Sequence, residues 1–336
     1  MRTILLALCF SFSAVCFGKD KPLEVYFVDV EGGQATLFVS PSGESLLVDT
    51  GWPGFGGRDA DRIVAAAHQA GLKKIEYVLV THYHEDHVGG VPQLAERIPI
   101  GTFIDHGPNV ETDSNTSAMV AGYNVAVSKG RHLVVKPGDK IPIRGLDIEV
   151  VTAGGEAIRS PLAGAGQANP LCNDPTPKLE DTGENARSVG VLIRYGKFLM
   201  IDLGDLTWNK ELELACPVNR IGKVDVYLTT HHGLSMSGPA VMVHALAPRV
   251  AVMNNGSRKG GNPAAWQIVR SSPGLQDIWQ LHFAVESGEL NNAPGQFIAN
   301  PEEKCEGNPL KLTAEKDGSF TVINLRNGFS KRYNSQ

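Results

Sequence analysis

Cysteine is scarce in this chain of 336 residues, which has five, and no two of them lie at the close spacing of a zinc or dithiol motif. That excludes small cysteine-rich zinc modules and disulfide-dense miniproteins. Charge is modest as well, at 20% of residues with a net of −5, and Lys and Arg form no dense stripe interleaved with aromatics. Tight, non-specific binding of nucleic acid through a basic face is therefore not favoured. Glycine and proline are plentiful, 37 and 20, but neither recurs with a period, so collagen-like and repeat architectures drop out. Long apolar runs are missing except at the start.

There, Arg2 precedes the apolar Ile4–Phe10 and small residues follow before Lys19-Asp20. The run is shorter than the roughly 20 residues that span a bilayer, so residues 1–18 read as a cleaved secretory signal with no stable membrane anchor left after cleavage. The expected location is periplasmic or secreted. Cleavage takes away Arg2, the segment's sole charged side chain, and the net charge becomes −6. It also removes Cys9 and Cys16 and leaves Cys172, Cys216 and Cys305, an odd number. One disulfide is then possible in an oxidising compartment, three pairings are open, and Cys172–Cys216 is the first to test.

What the chain does have is Thr81-His82-Tyr83-His84-Glu85-Asp86-His87, three imidazoles and an aspartate directly after the apolar stretch 75–80, with Gly89-Gly90 behind. Neutral imidazole and carboxylate are ligands for zinc, and for iron or manganese, and a turn after a strand can aim closely spaced side chains at one point. Two later segments repeat the pattern of a strand running into polar residues. Phe198–Ile201 leads to Asp202-Leu203-Gly204-Asp205, and Val224–Leu228 leads to Thr229-Thr230-His231-His232-Gly233.

Together these runs resemble the metallo-β-lactamase superfamily. The resemblance covers most of the chain after the first twenty residues. It implies an α/β fold, an αββα sandwich of two mixed sheets flanked by helices, in a single domain over 19–336. In that pattern Asp49, closing Leu46-Leu47-Val48, orients a ligand; Asp205 bridges two ions, with a helix N-cap as its alternative; and His232 is the last ligand, with His231 supporting it or meeting substrate, or the two with roles exchanged. Glu24–Ala35, with Gly32-Gly33-Gln34, and Glu184–Leu192 are similar to the hydrolase-like domain of DNA-uptake competence proteins.

The family's third histidine for the first metal is absent, since Asn185, Arg187 and Ser188 stand in that region. The implied sets are His82, His84 and Asp205 for one ion and Asp86, His87, Asp205 and His232 for the other. Asn185 or His106 could supplement the first. Two divalent ions sharing Asp205, zinc first with iron or manganese as alternatives, would make hydroxide available near neutral pH. Asp86 is then mainly a ligand, and His231 or water protonates the leaving group.

The expected activity is hydrolysis of a small-molecule or anionic ester, a phosphoester or phosphodiester first, with a lactone or β-lactam as the alternative. Nucleic acid is possible but not favoured. A non-catalytic secreted metal-binding protein is the reading from outside enzymology.

Periodicity places strands near 23–30, 35–40, 45–49, 76–80, 189–194, 197–202, 224–229, 249–253 and 320–325, and helices near 59–70 and 238–246. Residues 153–186, rich in Gly and Pro, read as a long loop edging the site. His68, His132, His244 and His282 read as core or surface histidines.

Overall fold

The computed structural model describes residues 21–173 and 180–335. The proposed signal segment lies outside them. Two mixed sheets pack face to face. The first runs, in spatial order, Ser330–Tyr333, Phe320–Asn324, Leu310–Ala314, Leu23–Phe27, Thr36–Val39, Ser45–Val48, Ile75–Leu79, Ile100–Asp105 and Arg131–Val134. It is antiparallel as far as Ser45–Val48 and parallel beyond. The second runs Ile298–Asn300, Asp277–His282, Val250–Met253, Val226–Leu228 and Phe198–Asp202 in parallel, then Gly190–Tyr195, Asp147–Ala153 and Lys140–Ile141 antiparallel.

Alternation along the first strands explains the layering. Val25, Phe27, Leu46 and Val48 point into the core between the sheets. Tyr26, Val28 and Leu47 point the other way, into a second core closed by helices. A period of two sends neighbours to opposite faces, and strands buried on both faces read as nearly continuous apolar runs. Helix Arg58–Gln69 lays Ala60, Ile63, Ala66 and Ala67 on that outer face. Helix Ser114–Val127 joins it, begun by the Asp113 carboxylate, which accepts from the backbone N–H groups of Asn115 and Thr116. Helices Trp208–Ala215, Ala240–Leu246 and Pro263–Arg270 cover the second sheet.

The αββα expectation is met, and most sequence-read strands lie within two residues of their observed ends. Helix Ser114–Val127 went unread. Its segment SNTSAMVAGYNVAV has no apolar stripe, and only Thr116, Tyr123 and Ala126 are buried.

The long loop differs from expectation. Between the short strand Glu156–Ala157 and residue 173 it packs on residues 214–222: Leu162 N–H donates to Arg220 O, Gly166 N–H to Asn219 O, and Asn169 N–H to Pro217 O. Cys172 and Cys216 are disulfide-bonded there. These residues precede strand Val226–Leu228, at the end of the sheet away from His231 and His232. Of the described loop, only the stretch near Glu184 borders the motif residues.

Parallel strands of both sheets run toward one rim. Asp49, Thr81, Asp205 and His231 follow the carboxyl ends of Ser45–Val48, Ile75–Leu79, Phe198–Asp202 and Val226–Leu228. Carboxyl ends of parallel strands are where open α/β sheets collect ligands.

Candidate metal centre

Asp86 and His87 sit in a single helical turn, Glu85–Val88, directly after the first sheet's strand Ile75–Leu79. Asp205 and His232 come from the second sheet. All four are buried, and one ligand atom of each lies within 4.8 Å of the others. His232 Nε2 is 3.2 Å from Asp86 Oδ2 and 3.3 Å from Asp205 Oδ2, and His87 Nε2 is 3.3 Å from both carboxylates and from His232 Nε2. The second ligand set is therefore assembled in space.

The other pair stands beside it. His82 Nε2 and His84 Nδ1 face each other at 3.0 Å. His82 is fully buried, whereas the His84 side chain is 30% exposed. Asp205 Oδ2 takes the contacts to His87, His231 and His232, while Asp205 Oδ1 is buried with no hydrogen-bond partner. A buried carboxylate oxygen without a partner is costly, and a cation removes that cost. The chain's residues thus fit a centre for divalent cations, to which Oδ1 would be a spare donor. Asp205 is not a helix cap, since the following helix starts at Trp208 behind Thr207.

Partners of the outward ring nitrogens fix most of these imidazoles. Asp49 Oδ2 lies 2.7 Å from His87 Nδ1 and accepts from Thr81 Oγ1, and Asp49 Oδ1 accepts from Thr81 N–H. Asp49 orients, as the resemblance implied. Thr81 Oγ1 is 3.0 Å from His82 Nδ1, Glu111 Oε2 is 3.1 Å from His84 Nε2, and Ser237 Oγ is 3.1 Å from His231 Nδ1. Such partners hold ring direction and tautomer. His231 and His232 both have φ of 56°, a left-handed pair in the turn Thr230–Gly233. That backbone costs on the order of 1–3 kcal/mol per residue and brings two adjacent imidazoles to one carboxylate oxygen.

Charge in the centre is cation-hungry. Burial opposes ionisation throughout, yet Asp86 and Asp205 lie well below the usual carboxylate range, because His87 and His232 face them. Burial likewise disfavours a charged His87, and Asp205, Asp86 and Asp49 overcome it, so His87 is raised well above an ordinary histidine. His231 is pushed down to about 4 by burial and is a neutral imidazole at pH 7. Lys259 Nζ also reaches Asp86 Oδ2 and lies 4.9 Å from the Trp52 ring centre. Beneath, burial first and the Asp49 charge after it push Asp202 up to about 7, against the Gly204 N–H that favours its anion. Gln34 Nε2 donates to both Asp202 oxygens, its Oε1 accepts from Asn254, and its backbone N–H donates to Asp86 O. A Cβ on the preceding Gly33 would lie 2.4 Å from Asp86 O, which accounts for glycine in this turn.

Two expectations for the missing third histidine come out differently. His106 does not enter the centre: its Nε2 is 3.0 Å from Glu184 Oε2, and Glu184 also accepts from the N–H groups of Tyr83 and Val110. Asn185 Oδ1 is buried without a partner, and Ser188 Oγ accepts from Asp205 N–H. Glu111 sits in no motif and was missed in the sequence, and Glu184, which opens the quoted segment Glu184–Leu192, was given no role there. Among the other histidines, His68 is exposed, His132 is 2.7 Å from Asp105, and His244 Nε2 lies 3.0 Å from Ile268 O.

Residues 28–168 match the sequence profile of the metallo-beta-lactamase superfamily. Over those residues the chain is similar to that superfamily. Hydroxyacylglutathione hydrolase of Klebsiella pneumoniae is 30% identical over 117 residues, 35% of this chain and 37% of that protein. Recombination protein 2 of Haemophilus influenzae is 23% identical over 297 residues, 88% of this chain and 31% of that protein. The chain thus spans well under half the length of either relative. Among solved structures, the metallo-beta-lactamase fold protein YhfI of Bacillus subtilis aligns with a TM-score of 0.47 at 10% identity, over 77% of this chain and 96% of that one. The metallo-β-lactamase family is one of hydrolases using a dinuclear metal centre, and this chain has a buried His/Asp cluster.

Proposed function

We propose that this chain is a metal-dependent hydrolase of small anionic esters, phosphodiesters first. The observation that carries the reading is Asp205: its Oδ2 meets the imidazoles of the buried quartet while its Oδ1 is buried and has no hydrogen-bond partner among the described residues, and the His82–His84 pair adjoins His87. Asp86, His87, Asp205 and His232 would hold one divalent ion, and His82, His84 and Asp205 the other. Zinc is the ion proposed, from the histidine and carboxylate donors. When bound, such a pair supplies Lewis-acid activation of water and of the ester centre.

The chain's own groups do the rest. Asp49 and Glu111 keep His87 and His84 in their ligating tautomers. Neutral His231 holds the bridging carboxylate in place through its 3.2 Å contact to Asp205 Oδ2, so protonation of the leaving group falls to water rather than to an imidazolium. Lys259, lying over Trp52 at the edge of Asp86, supplies a positive charge for an anionic substrate.

The relative spanning 88% of the chain is a recombination protein, which supports phosphodiesters, whereas the hydroxyacylglutathione hydrolase aligns over 35%. A net charge of −5 favours a small ester over a polymer. We also propose a periplasmic or secreted location, supported by the Cys172–Cys216 disulfide.

The test is turnover of bis(p-nitrophenyl) phosphate, an aryl ester, a glutathione thioester, a lactone and a chromogenic β-lactam by wild type and Asp205→Asn. Phosphodiester hydrolysis that falls on the order of 10³-fold in Asp205→Asn, with unchanged circular dichroism, is expected. Preferential thioester, lactone or β-lactam turnover would overturn the substrate class, and no turnover of any of them by metal-loaded protein would leave the non-catalytic metal-binding reading.

A further inference from the structure

A second convergence of ligand atoms lies on residues that the Asp205 centre does not use. Asp29 follows strand Leu23–Phe27 of the first sheet, His282 ends strand Asp277–His282 of the second, and Cys305 is carried by the loop over 301–309. Asp29 and His282 are fully buried and Cys305 partly so. Their ligand atoms all lie within 4.8 Å of one another. His282 Nε2 is 2.8 Å from Asp29 Oδ1, Cys305 Sγ is 3.4 Å from Asp29 Oδ2, and Cys305 Sγ is 3.9 Å from His282 Nε2.

The use of one nitrogen distinguishes two kinds of chemistry. A thiol activated by a His–Asp relay needs the carboxylate on one ring nitrogen and the sulfur on the other. Here both face Nε2, and Nδ1 has no hydrogen-bond partner. Three donors around a common point make a coordination face. With metal–sulfur bonds of about 2.3 Å and metal–nitrogen or metal–oxygen bonds of about 2.0–2.1 Å, donors around a tetrahedral ion stand roughly 3.3–3.6 Å apart. The observed contacts of 2.8, 3.4 and 3.9 Å run to two oxygens of Asp29, Oδ1 toward His282 and Oδ2 toward Cys305, and an ion would replace the His282–Asp29 hydrogen bond and take one oxygen, the imidazole and the sulfur, which already stand within 4.8 Å of one another.

Charge matches as well. A thiolate and a carboxylate would bring two negative charges to a divalent cation; Arg62, which donates to Asp29 Oδ2 at 3.2 Å and lies 3.9 Å from Cys305 Sγ, is itself paired with Glu31 at 3.1 Å. Sulfur and imidazole exclude magnesium and calcium, which take oxygen ligands.

We propose that Asp29, His282 and Cys305 form a separate metal site for a thiophilic divalent cation of the zinc type. Three protein ligands leave one position for water. The ion ties the 301–309 loop to both sheets just before strand Leu310–Ala314.

The test is cobalt(II) titration of the metal-free full chain with the Cys172–Cys216 disulfide intact and Cys305 as a free thiol. The Asp205 centre has no sulfur ligand, so a near-ultraviolet sulfur-to-cobalt charge-transfer band reports this site alone. The band's final intensity is expected to correspond to a single thiolate-bound cobalt per chain whatever the Asp205 centre takes up, to vanish in Cys305→Ser, to vanish or shift in His282→Gln and to persist in Asp205→Asn. Absence of the band when thiol titration shows Cys305 free would overturn the proposal, as would a band unaltered in His282→Gln. Should His282→Gln fail to fold, zinc protection of wild-type Cys305 from alkylation decides: at least about tenfold slowing supports the site, and an unchanged rate overturns it.

Discussion

Asp86, His87, Asp205 and His232 meet with none of them more than 5% exposed, whereas the neighbouring His84 leaves 30% of its side chain open and its pair is completed only by His82. The quartet brings two carboxylates and two imidazoles, with His87 locked by Asp49 at 2.7 Å. The pair brings two imidazoles, depends on the shared Asp205, and is steered by Glu111, itself partly exposed. Donor charge and enclosure both favour the quartet, so the two halves of one centre should differ in affinity, and the half lacking the family's third histidine should be the exchangeable one.

Removing one ligand from each half breaks the comparison most sharply. His232→Ala should abolish the tighter of two calorimetric metal-binding events, and His84→Ala should leave it intact and abolish the weaker. Glu111→Gln sharpens it: losing the orienting carboxylate should weaken the exposed half about 10–100-fold while the quartet is unmoved, read in the same titration.

A separate effect lies beneath the quartet, at Asp202. Its folded pKa of about 7 stands above the ordinary aspartate value of 3.8, so between those limits the folded state holds a proton that the unfolded state has released. Stability from this group is therefore full at low pH and is lost as pH rises toward 7, by on the order of 4 kcal/mol at most. Asp202→Asn cannot ionise, and urea unfolding of metal-free protein at pH 4.5 and 7.5 should show a smaller loss across that interval than wild type.

The difference between the halves also tracks what the sequence made legible. The quartet lies where strands run into ligand residues, at Leu79 to His87, Ile201 to Asp205 and Leu228 to His232, and a strand end fixes direction locally. Glu111 and Glu184 lie in irregular segments, and their contacts reach across 27 and 78 residues to His84 and His106. No local pattern encodes such pairs. His106 read as a spare ligand for the same reason, since its partner Glu184 is invisible without the fold. Asp29, His282 and Cys305 are scattered over 276 residues, and His282 read as an ordinary core or surface histidine. The sandwich was readable because doubly buried strands such as Leu46–Val48 are apolar throughout, while helix Ser114–Val127 buries too little to leave a stripe.

Calorimetric zinc titration of metal-free Cys305→Ser protein, in which only the Asp205 centre remains, tests the inequality of the two halves most directly. Two events of clearly different affinity, the tighter one lost in a Cys305→Ser, His232→Ala double variant, are expected. Two equal events, a single event that survives loss of His232, or no binding at all would contradict it.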